Sequence, residues 1–228
     1  MQKLTILYQD DNYIAIHKPN GLLVHRTRIS EDRRFVLQML RNQIGQWVYP
    51  IHRLDRPTSG VLIFGLSSDA ARLLAQEFEQ RNVNKLYQAV VRGYTEESGV
   101  IDYPLQEEKW TEPQPAVTAY RKLAQVELPY PVGRYQTARY SLLEVQPETG
   151  RMHQIRKHMK HIFHPIVGDT THGDGKHNQL FRDQFDVRRL LLVATELQFH
   201  HPYSKQQLTI KSASEPELQM LFEKFGWV

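Results

Sequence analysis

Residues 52–64 read HRLDRPTSGVLIF, and this stretch decides both the predicted fold and the predicted chemistry. It places one carboxylate, Asp55, between the guanidiniums of Arg53 and Arg56. Nearby positive charge favours the ionised carboxylate that a nucleophile or base requires. The apolar run after Gly60 predicts a buried strand, which would hold the Asp55 loop rigidly. Taken alone, such a segment is more often a surface Arg–Asp–Arg salt bridge beside a turn, so the decision rests on the rest of the chain.

The composition limits the class of protein. The chain has 228 residues, 40% of them hydrophobic and 24% charged, which is ordinary for a globular protein. No apolar run is long enough for a membrane span, and no signal-peptide core follows the first residues, so we expect a cytoplasmic protein. There is no cysteine, which excludes disulfides, thiolate zinc sites and a thiol nucleophile.

Basic residues and histidines concentrate between residues 151 and 177. Five of the lysines and arginines and six of the eleven histidines fall there, against two aspartates. Such a patch suits phosphate contacts, although a solvated basic face is the common alternative. His158, His161 and His164 lack the spacing of a zinc site, so we expect them to be solvated or to face phosphates and we predict no metal.

Hydrophobic periodicity and turn signals predict an α+β architecture with a largely antiparallel mixed sheet, in one catalytic domain over residues 1–228. The predicted strands are 4–8, 13–17, 61–66, 85–92, 117–123, 139–145, 190–199 and 208–211. The predicted helices are 35–44, 69–81, 151–161 and 215–225. Five prolines in residues 94–135, and a mixed acidic segment at 107–112, predict loops and short strands there.

Four motifs occur in a fixed order along the chain. They are Lys18-Pro19-x-Gly21; the segment from His52 to Gly60; Lys85-x-Tyr87-x-Ala89-x-Val91-x-Gly93; and Gly150-Arg151-x-His153-Gln154-Ile155-Arg156-x-His158. This ordered set resembles the RluA-type family of RNA pseudouridine synthases, and the resemblance covers most of the chain. It implies the pseudouridine synthase fold, a mixed and mostly antiparallel central sheet flanked by helices with a central catalytic cleft. No S4-type RNA-binding domain is expected.

Further segments resemble the branch of this family that acts on tRNA. They are Gly65-Leu66-Ser67-Ser68, residues 72–76, residues 114–118 and Phe225-Gly226-Trp227. The resemblance implies that the target is a uridine at the base of the T stem of tRNA (uridine 65). It also implies a monomer that acts on tRNA without a protein partner.

The resemblance also implies the chemistry. The bond from ribose C1′ to uracil N1 breaks, the base turns, and C1′ joins C5, so neither cofactor nor metal is required. Asp55 is the implied catalytic carboxylate, which either attacks C1′ or removes a C2′ proton. Tyr87 is implied to stack on the target base and to handle the C5 proton, and Arg156 to pair with the catalytic carboxylate. Arg53 is implied to fill the gap left by the flipped base. The remaining implied substrate-binding residues are His52, Lys85, Arg151, His153, Gln154, Ile155, Lys157 and Lys160.

Each of these residues also has an ordinary structural interpretation. Tyr87 in a strand is usually a core residue, and Arg156 alone would be a surface charge. The other side of the Arg156 helix, with Met152, Ile155 and Met159, is expected to pack into the core. Two residues depart from the family pattern: Val193 stands where a histidine is common, and His172 where a tyrosine is frequent.

Three alternatives to a tRNA-modifying enzyme remain open at this stage. The same reaction on ribosomal RNA is the nearest of them. A non-catalytic RNA-binding protein is the second, although it would have no chemical reason to keep Asp55, Tyr87 and Arg156 together. A histidine-based metalloenzyme is the third, and it predicts bound metal.

Overall fold

The computed structural model describes residues 3–25, 34–106, 111–212 and 215–227. In chain order, the strands are β1 (Thr5–Gln9), β2 (Tyr13–Lys18), β3 (Tyr49–Pro50), β4 (Ser59–Gly65), β5 (Asn84–Arg92), β6 (Ser98–Asp102), β7 (Val117–Leu128), β8 (Ala138–Pro147), β9 (Leu192–His200) and β10 (Gln207–Lys211). The helices are α1 (Val36–Ile44), α2 (Ser68–Glu79), α3 (Gln154–His161), α4 (Gly175–Phe185) and α5 (Pro216–Lys224). None of the helices in the described residues is long and apolar enough to cross a membrane.

The chain divides into two compact units. Unit 1 comprises Met1–Lys85 and Val193–Ala213, and unit 2 comprises Leu86–Leu192 and Ser214–Val228. Each unit contains a hydrophobic cluster of its own. The prediction of one catalytic domain over the whole chain stays a prediction.

Unit 1 is built on strands that pair in the order β1, β2, β4, β9, β10, with β3 beside β4. These pairs are antiparallel apart from β4 with β9, which run parallel at Ser59↔Val193 and Gly60↔Ala194. Every residue of β4 is buried, as expected for a continuous apolar run covered on both faces. Helix α2 begins after Ser67, whose Oγ accepts a hydrogen bond from the Ala70 N–H at 3.1 Å.

Unit 2 is built on the antiparallel order β5, β8, β7, β6. Its main core contains side chains from β5, β6, β8 and α3, together with Ile166, Leu190 and Leu192, the first residue of β9. A second, aromatic cluster joins Tyr140 and α4 to the chain after α5 through Phe181, Phe185 and Phe225, whose ring centroids lie 4.8–6.0 Å apart. These aromatic contacts, three of them edge-to-face and that between Phe181 and Phe185 tilted, stabilise α4.

The predicted α+β class with mostly antiparallel pairing is confirmed. Strand β7 continues to Leu128, beyond the predicted end at residue 123, and helix α3 begins only at Gln154. Strand β3 and helix α4 were not predicted, since β3 has two residues and α4 has too few apolar positions for a clear helical period. Residues 107–110 of the predicted loop region lie outside the described residues.

Candidate active site

A turn at residues 18–21 fastens the loop that carries Asp55 within unit 1. The Lys18 ammonium is fully buried, and it donates to the Arg56 carbonyl at 3.1 Å. The Gly21 N–H donates to the same carbonyl at 2.9 Å, and Arg56 Nε donates back to the Gly21 carbonyl at 3.0 Å. Asn20 Nδ2 donates to the Pro57 carbonyl. The first and second sequence motifs are therefore parts of one hydrogen-bonded clasp.

The Asp55 loop is also fixed by its own flanks. Asp55 is partly buried, and its carbonyl accepts from the Thr58 N–H at 3.1 Å. The residues on either side, Leu54 and Thr58, are buried. Gly60 follows with a φ of +112°, where a Cβ would lie only 2.1 Å from the Ala194 carbonyl oxygen. Strand β9 can therefore approach the end of the loop only because residue 60 is glycine.

His52 supports the loop from its other end. Its Nε2 accepts the Ile63 N–H at 3.2 Å, and its ring stacks on Phe78 with centroids 4.8 Å apart. Burial, with the nearby Lys85 ammonium, lowers the pKa of His52 to about 3. Burial also lowers the pKa of Lys85 to about 8, with a contribution from Arg81. His52 is thus a neutral packing residue at physiological pH, and its implied contact with substrate stays a prediction.

Arg156 in unit 2 is a buried residue and not the surface charge that its position on a helix alone would suggest. Its Nε donates to Asp169 Oδ2 at 2.7 Å and its Nη2 to Oδ1 at 2.8 Å. Asp169 Oδ1 also accepts the N–H groups of Thr171 and His172, each at 2.9 Å. Burial alone would raise the pKa of Asp169, but the hydrogen bonds from Arg156 and the two backbone N–H groups outweigh it and hold that pKa below its usual value. The carboxylate therefore stays charged and fixes the plane of the guanidinium.

Tyr87 lies in β5, opposite Val145 of β8. Its ring is partly buried and packs against the core cluster of unit 2. This packing against the core restricts the directions that the ring can take. Its role toward a base stays a prediction.

Gln154 fixes the turn that precedes α3. Its Oε1 accepts from the Thr149 hydroxyl at 2.6 Å and the Arg151 N–H at 3.0 Å. Its Nε2 donates to the Val117 carbonyl at 2.9 Å and the Thr118 hydroxyl at 3.0 Å. Gln154 is 5% exposed, and its side-chain amide makes its hydrogen bonds to groups of the protein itself.

The neighbours of Gln154 differ in what they can reach. Ile155 is buried in the unit 2 core. Direct RNA contact by Gln154 or Ile155 stays a prediction that their burial does not support. Arg151 is only partly buried, and its Nε donates to the Pro115 carbonyl at 3.3 Å.

His153 stands at the start of α3 in the left-handed conformation, with a φ of +56°. Its Nδ1 lies 3.0 Å from Nε2 of His172, so one ring donates and the other accepts. Burial lowers the pKa of His172, and the charges of Arg156, His153 and Lys157 lower it further against the opposing effect of Asp169. His172, which departs from the family pattern, therefore contacts His153 through its ring. Its backbone N–H donates to Asp169, the partner of Arg156.

Two sequence-based expectations about this helix are wrong. His158 is fully buried, with Nδ1 2.9 Å from the Thr118 hydroxyl and Nε2 3.0 Å from the Tyr103 carbonyl, so it is neither solvated nor phosphate-facing. Met152 precedes the helix and is 37% exposed, so it is not a core residue. Ile155 and Met159 are buried, as expected. Within the described residues, no group of histidine and acidic side chains could hold a metal ion.

The basic side chains differ in their freedom to meet a phosphate. Arg53 and Lys160 are exposed. Lys157 is partly buried, and its ammonium donates to the Gln106 carbonyl at 2.8 Å. His161 is exposed, and its ring stacks on Tyr103 with centroids 3.7 Å apart.

The structure thus brings the predicted residues together in two groups, each within one unit. In unit 1, Asp55 shares its loop with Arg53 and His52, and Lys85 lies near His52. In unit 2, the group comprises His153, Gln154, Arg156 and Lys157. Tyr87, on strand β5, packs against the same core as helix α3. Sequence reasoning missed Asp169 as the partner of Arg156. The Gly168-Asp169 pair, between α3 and α4, was the sequence feature that could have indicated a functional carboxylate. The residues around it do not show which cation the carboxylate pairs with.

Comparisons with known proteins identify the family of this chain. Residues 12–161 match the family model described as RNA pseudouridylate synthase. The chain is 51% identical to the tRNA pseudouridine synthase C of Vibrio parahaemolyticus, over 99% of this chain and 96% of that protein. It is also 51% identical to the protein of the same name from Haemophilus influenzae, over 98% of each. The fold is similar to that of human RNA pseudouridylate synthase domain containing 1, with a TM-score of 0.75 and 23% identity over 93% of this chain and 84% of that one. The chain belongs to the RNA pseudouridylate synthase family.

Proposed function

We propose that this protein converts a uridine of tRNA to pseudouridine, and that the target is uridine 65 at the base of the T stem. The observation that carries the proposal is the near full-length similarity, at about half identity, to proteins named tRNA pseudouridine synthase C. We assign the reaction to Asp55, Tyr87 and Arg156, which are all present in this chain. The reaction moves one bond within the substrate, and we propose that it uses no cofactor and no metal.

Asp55 is the group that acts on the ribose in this proposal. Whether it adds to C1′ or removes the C2′ proton, its carboxylate must reach one face of the sugar in a fixed direction. The clasp between residues 18–21 and the Asp55 loop supports this, because a nucleophile on a loop is accurate only when the loop backbone is held. No step requires a thiol, which the chain lacks.

Arg156 and Tyr87 serve the same reaction from unit 2. Asp169 accepts two N–H groups of the Arg156 guanidinium, which fixes the plane and the position of that group. We propose, from the family resemblance, that Arg156 pairs with the catalytic carboxylate. Tyr87 receives the uracil on its exposed face and handles the proton at C5 after the base has turned.

The target base lies inside a helical stem and must leave it before the reaction. Extrusion costs a few kcal/mol, which phosphate and sugar contacts to the rest of the tRNA offset. Exposed Arg53 occupies the gap left by the base. Arg151, Lys157 and Lys160 bind phosphates, while His52, Lys85 and His153 are further substrate-binding residues. We propose that the protein acts as a monomer in the cytoplasm, where tRNA is found.

The experiment that tests the proposal is tritium release from tRNA labelled at uridine C5, followed by mapping of pseudouridine in the product. We expect release by the wild type, a single modified position at uridine 65, and no turnover by Asp55→Asn. The affinity of Asp55→Asn for tRNA should be nearly unchanged, because one charge matters little among many backbone contacts. Asp69→Asn, at an exposed carboxylate in the first turn of α2, is the matched control and should keep full activity.

The other outcomes are distinct. Full activity of Asp55→Asn would refute the role of the carboxylate. Release from ribosomal RNA but not from tRNA would move the substrate and keep the chemistry. Tight tRNA binding by a folded wild type that releases no tritium from either RNA would identify a non-catalytic RNA-binding protein.

A further inference from the structure

Two residues after the end of helix α3, the aromatic side chain of Phe163 is exposed to solvent. Phe163 is 79% exposed, more than any other large hydrophobic residue in the described part of the chain. Single exposed apolar residues are common and need no special explanation. Phe163 is different because its backbone is also unfavourable.

The backbone of Phe163 adopts the left-handed conformation, with a φ of +66°. Its N–H donates to the Lys160 carbonyl at 3.0 Å, and the next N–H, of His164, donates to the Met159 carbonyl at 2.8 Å. This is the closing turn in which glycine is the usual residue, because a Cβ is strained there. A bulky side chain at such a position is a genuine outlier. Phe163 thus weakens the fold by its conformation and gains nothing from burial.

The surrounding residues nevertheless hold Phe163 in place. Arg92 Nη2 donates to the Phe163 carbonyl at 3.3 Å, and His164 Nδ1 donates to the Arg92 carbonyl at 2.8 Å. Arg92 Nη1 in turn pairs with Asp174 Oδ2 at 2.6 Å. The ring therefore extends from a fixed backbone, and a fixed contact residue loses little conformational freedom on binding.

The charge around the ring indicates which partner it suits. Lys160 and His161, in the last turn of α3, are both exposed, and His161 stacks on Tyr103. The two carboxylates that follow Phe163 most closely along the chain are already paired, Asp169 with Arg156 in the interior and Asp174 with Arg92; a further carboxylate, Asp102, precedes Tyr103. A protein interface would need a contiguous apolar core, whereas this ring is flanked by polar and cationic side chains. An aromatic ring beside a lysine is the combination that binds an unstacked base and its phosphate.

We propose that Phe163 stacks on an unpaired base of the tRNA substrate, outside the catalytic centre, and that Lys160 meets the adjacent phosphate. The inference rests on the proposed function for the identity of the RNA. It assigns to Phe163 affinity for tRNA and no part in the chemical step.

The test compares Phe163→Gly with Phe163→Trp. Phe163→Gly relieves the backbone and removes the ring, so the melting temperature should rise by about 2–4 °C while the Kd for tRNA rises about tenfold. The single-turnover rate at saturating enzyme should stay within about twofold of wild type, since no reacting atom is touched. Phe163→Trp should keep wild-type affinity. Asp186→Gly is the matched control, because Asp186 is exposed and left-handed at the end of α4, and it should leave the Kd unchanged.

A Kd of Phe163→Gly within about twofold of wild type would overturn the inference, and so would an equal loss of affinity in Asp186→Gly. Self-association that Phe163→Gly abolishes while tRNA affinity is kept would overturn it in favour of a protein contact. None of these results affects the proposed function, which fails separately if the wild type releases no tritium from tRNA.

Discussion

Arg156 and Asp169 form a bidentate ion pair in the interior of unit 2, with side chains that are 4% and 0% exposed. The Nε–Oδ2 and Nη2–Oδ1 distances of 2.7 and 2.8 Å leave the guanidinium little freedom to rotate. Two backbone N–H groups complete the coordination of the same carboxylate. Asp169 is therefore a positioning residue for Arg156, which in turn is proposed to position the catalytic carboxylate.

We predict that Asp169→Asn lowers both stability and turnover. Removing one partner of a buried pair leaves an uncompensated charge, so the free energy of unfolding should fall by about 3 kcal/mol. The kcat for pseudouridine formation should fall more than about tenfold, since a misdirected guanidinium weakens a contact that matters in the transition state. The affinity for tRNA should change little. Urea denaturation, single-turnover kinetics and filter binding measure the three quantities.

Glu215→Gln provides the control for a purely structural effect. Glu215 pairs with Arg189, whose side chain is 7% exposed, and no predicted site residue takes part in that pair. We expect a comparable loss of stability with kcat unchanged at a temperature where the variant is folded. An equal loss of kcat in both variants would mean that Asp169 acts on folding alone.

Much of the fold could be predicted because its signals are local. The apolar run after Gly60 marks a buried strand, and Ser67 caps α2 where the serine cluster indicates a helix start. Helix α4 was not predicted because the aromatic residues that stabilise it, Tyr140 and Phe225, come from distant parts of the chain. Residues 151–153 read as helix by composition, but the left-handed backbone of His153 delays the start of α3.

The site shows the same division between local and distant information. Asp55 and Arg156 could be identified as motif residues from the sequence. The burial of Arg156 could not be predicted, because it depends on the carboxylate of Asp169, thirteen residues away. The solvated state expected for His158 was wrong for the same reason: its partners, Thr118 and Tyr103, lie on a distant strand and loop.

We predict that Gly60→Ala severely destabilises unit 1. An added Cβ would lie 2.1 Å from the Ala194 carbonyl oxygen and would occupy a φ of +112°. The parallel contact between β4 and β9 at the end of the Asp55 loop would have to open. We expect a loss of more than about 3 kcal/mol in the free energy of unfolding, measured by chemical denaturation.

Gly175→Ala is the comparison for Gly60→Ala. Gly175 begins α4, and a Cβ added there would have no heavy atom within 4 Å, so alanine should be neutral or stabilise by up to about 1 kcal/mol. Normal stability of Gly60→Ala would show that β9 does not need this close approach.

We predict that His52 makes unit 1 sensitive to mild acid. Its pKa in the folded state is about 3, below the unfolded value of 6.5, so the unfolded chain binds more protons between those two values. Stability is complete above about pH 6.5 and is lost as the pH falls toward 3, at up to about 1.4 kcal/mol per pH unit. His52→Gln keeps an acceptor for the Ile63 N–H and removes the titration. Urea denaturation at pH 7.5 and pH 5 should therefore show a smaller difference for the variant than for the wild type.

His200→Gln is the control for the acid effect, because His200 is exposed at the end of β9. It should keep the wild-type difference between the two pH values. His158, His172 and His177 also have lowered pKa values, so some acid sensitivity should remain in His52→Gln. Identical pH profiles for His52→Gln and wild type would contradict the neutral state of this partly buried ring.

Finally, we predict that Lys157→Ala and Lys160→Ala weaken tRNA binding through charge. Each lost phosphate contact should reduce the slope of log Kd against log salt by about 1, with kcat at saturating tRNA unchanged. Lys157→Ala should have the larger effect on affinity, since its ammonium also holds the Gln106 carbonyl and so orders the chain beside Tyr103. Lys224→Ala, at an exposed lysine on α5, should leave the slope as it is. Filter binding between about 50 and 200 mM salt decides the matter. Slopes that stay at the wild-type value in both Lys157→Ala and Lys160→Ala would remove this face of α3 from the tRNA interface. An equal reduction of the slope in all three variants, Lys224→Ala included, would mean that the RNA responds only to net charge.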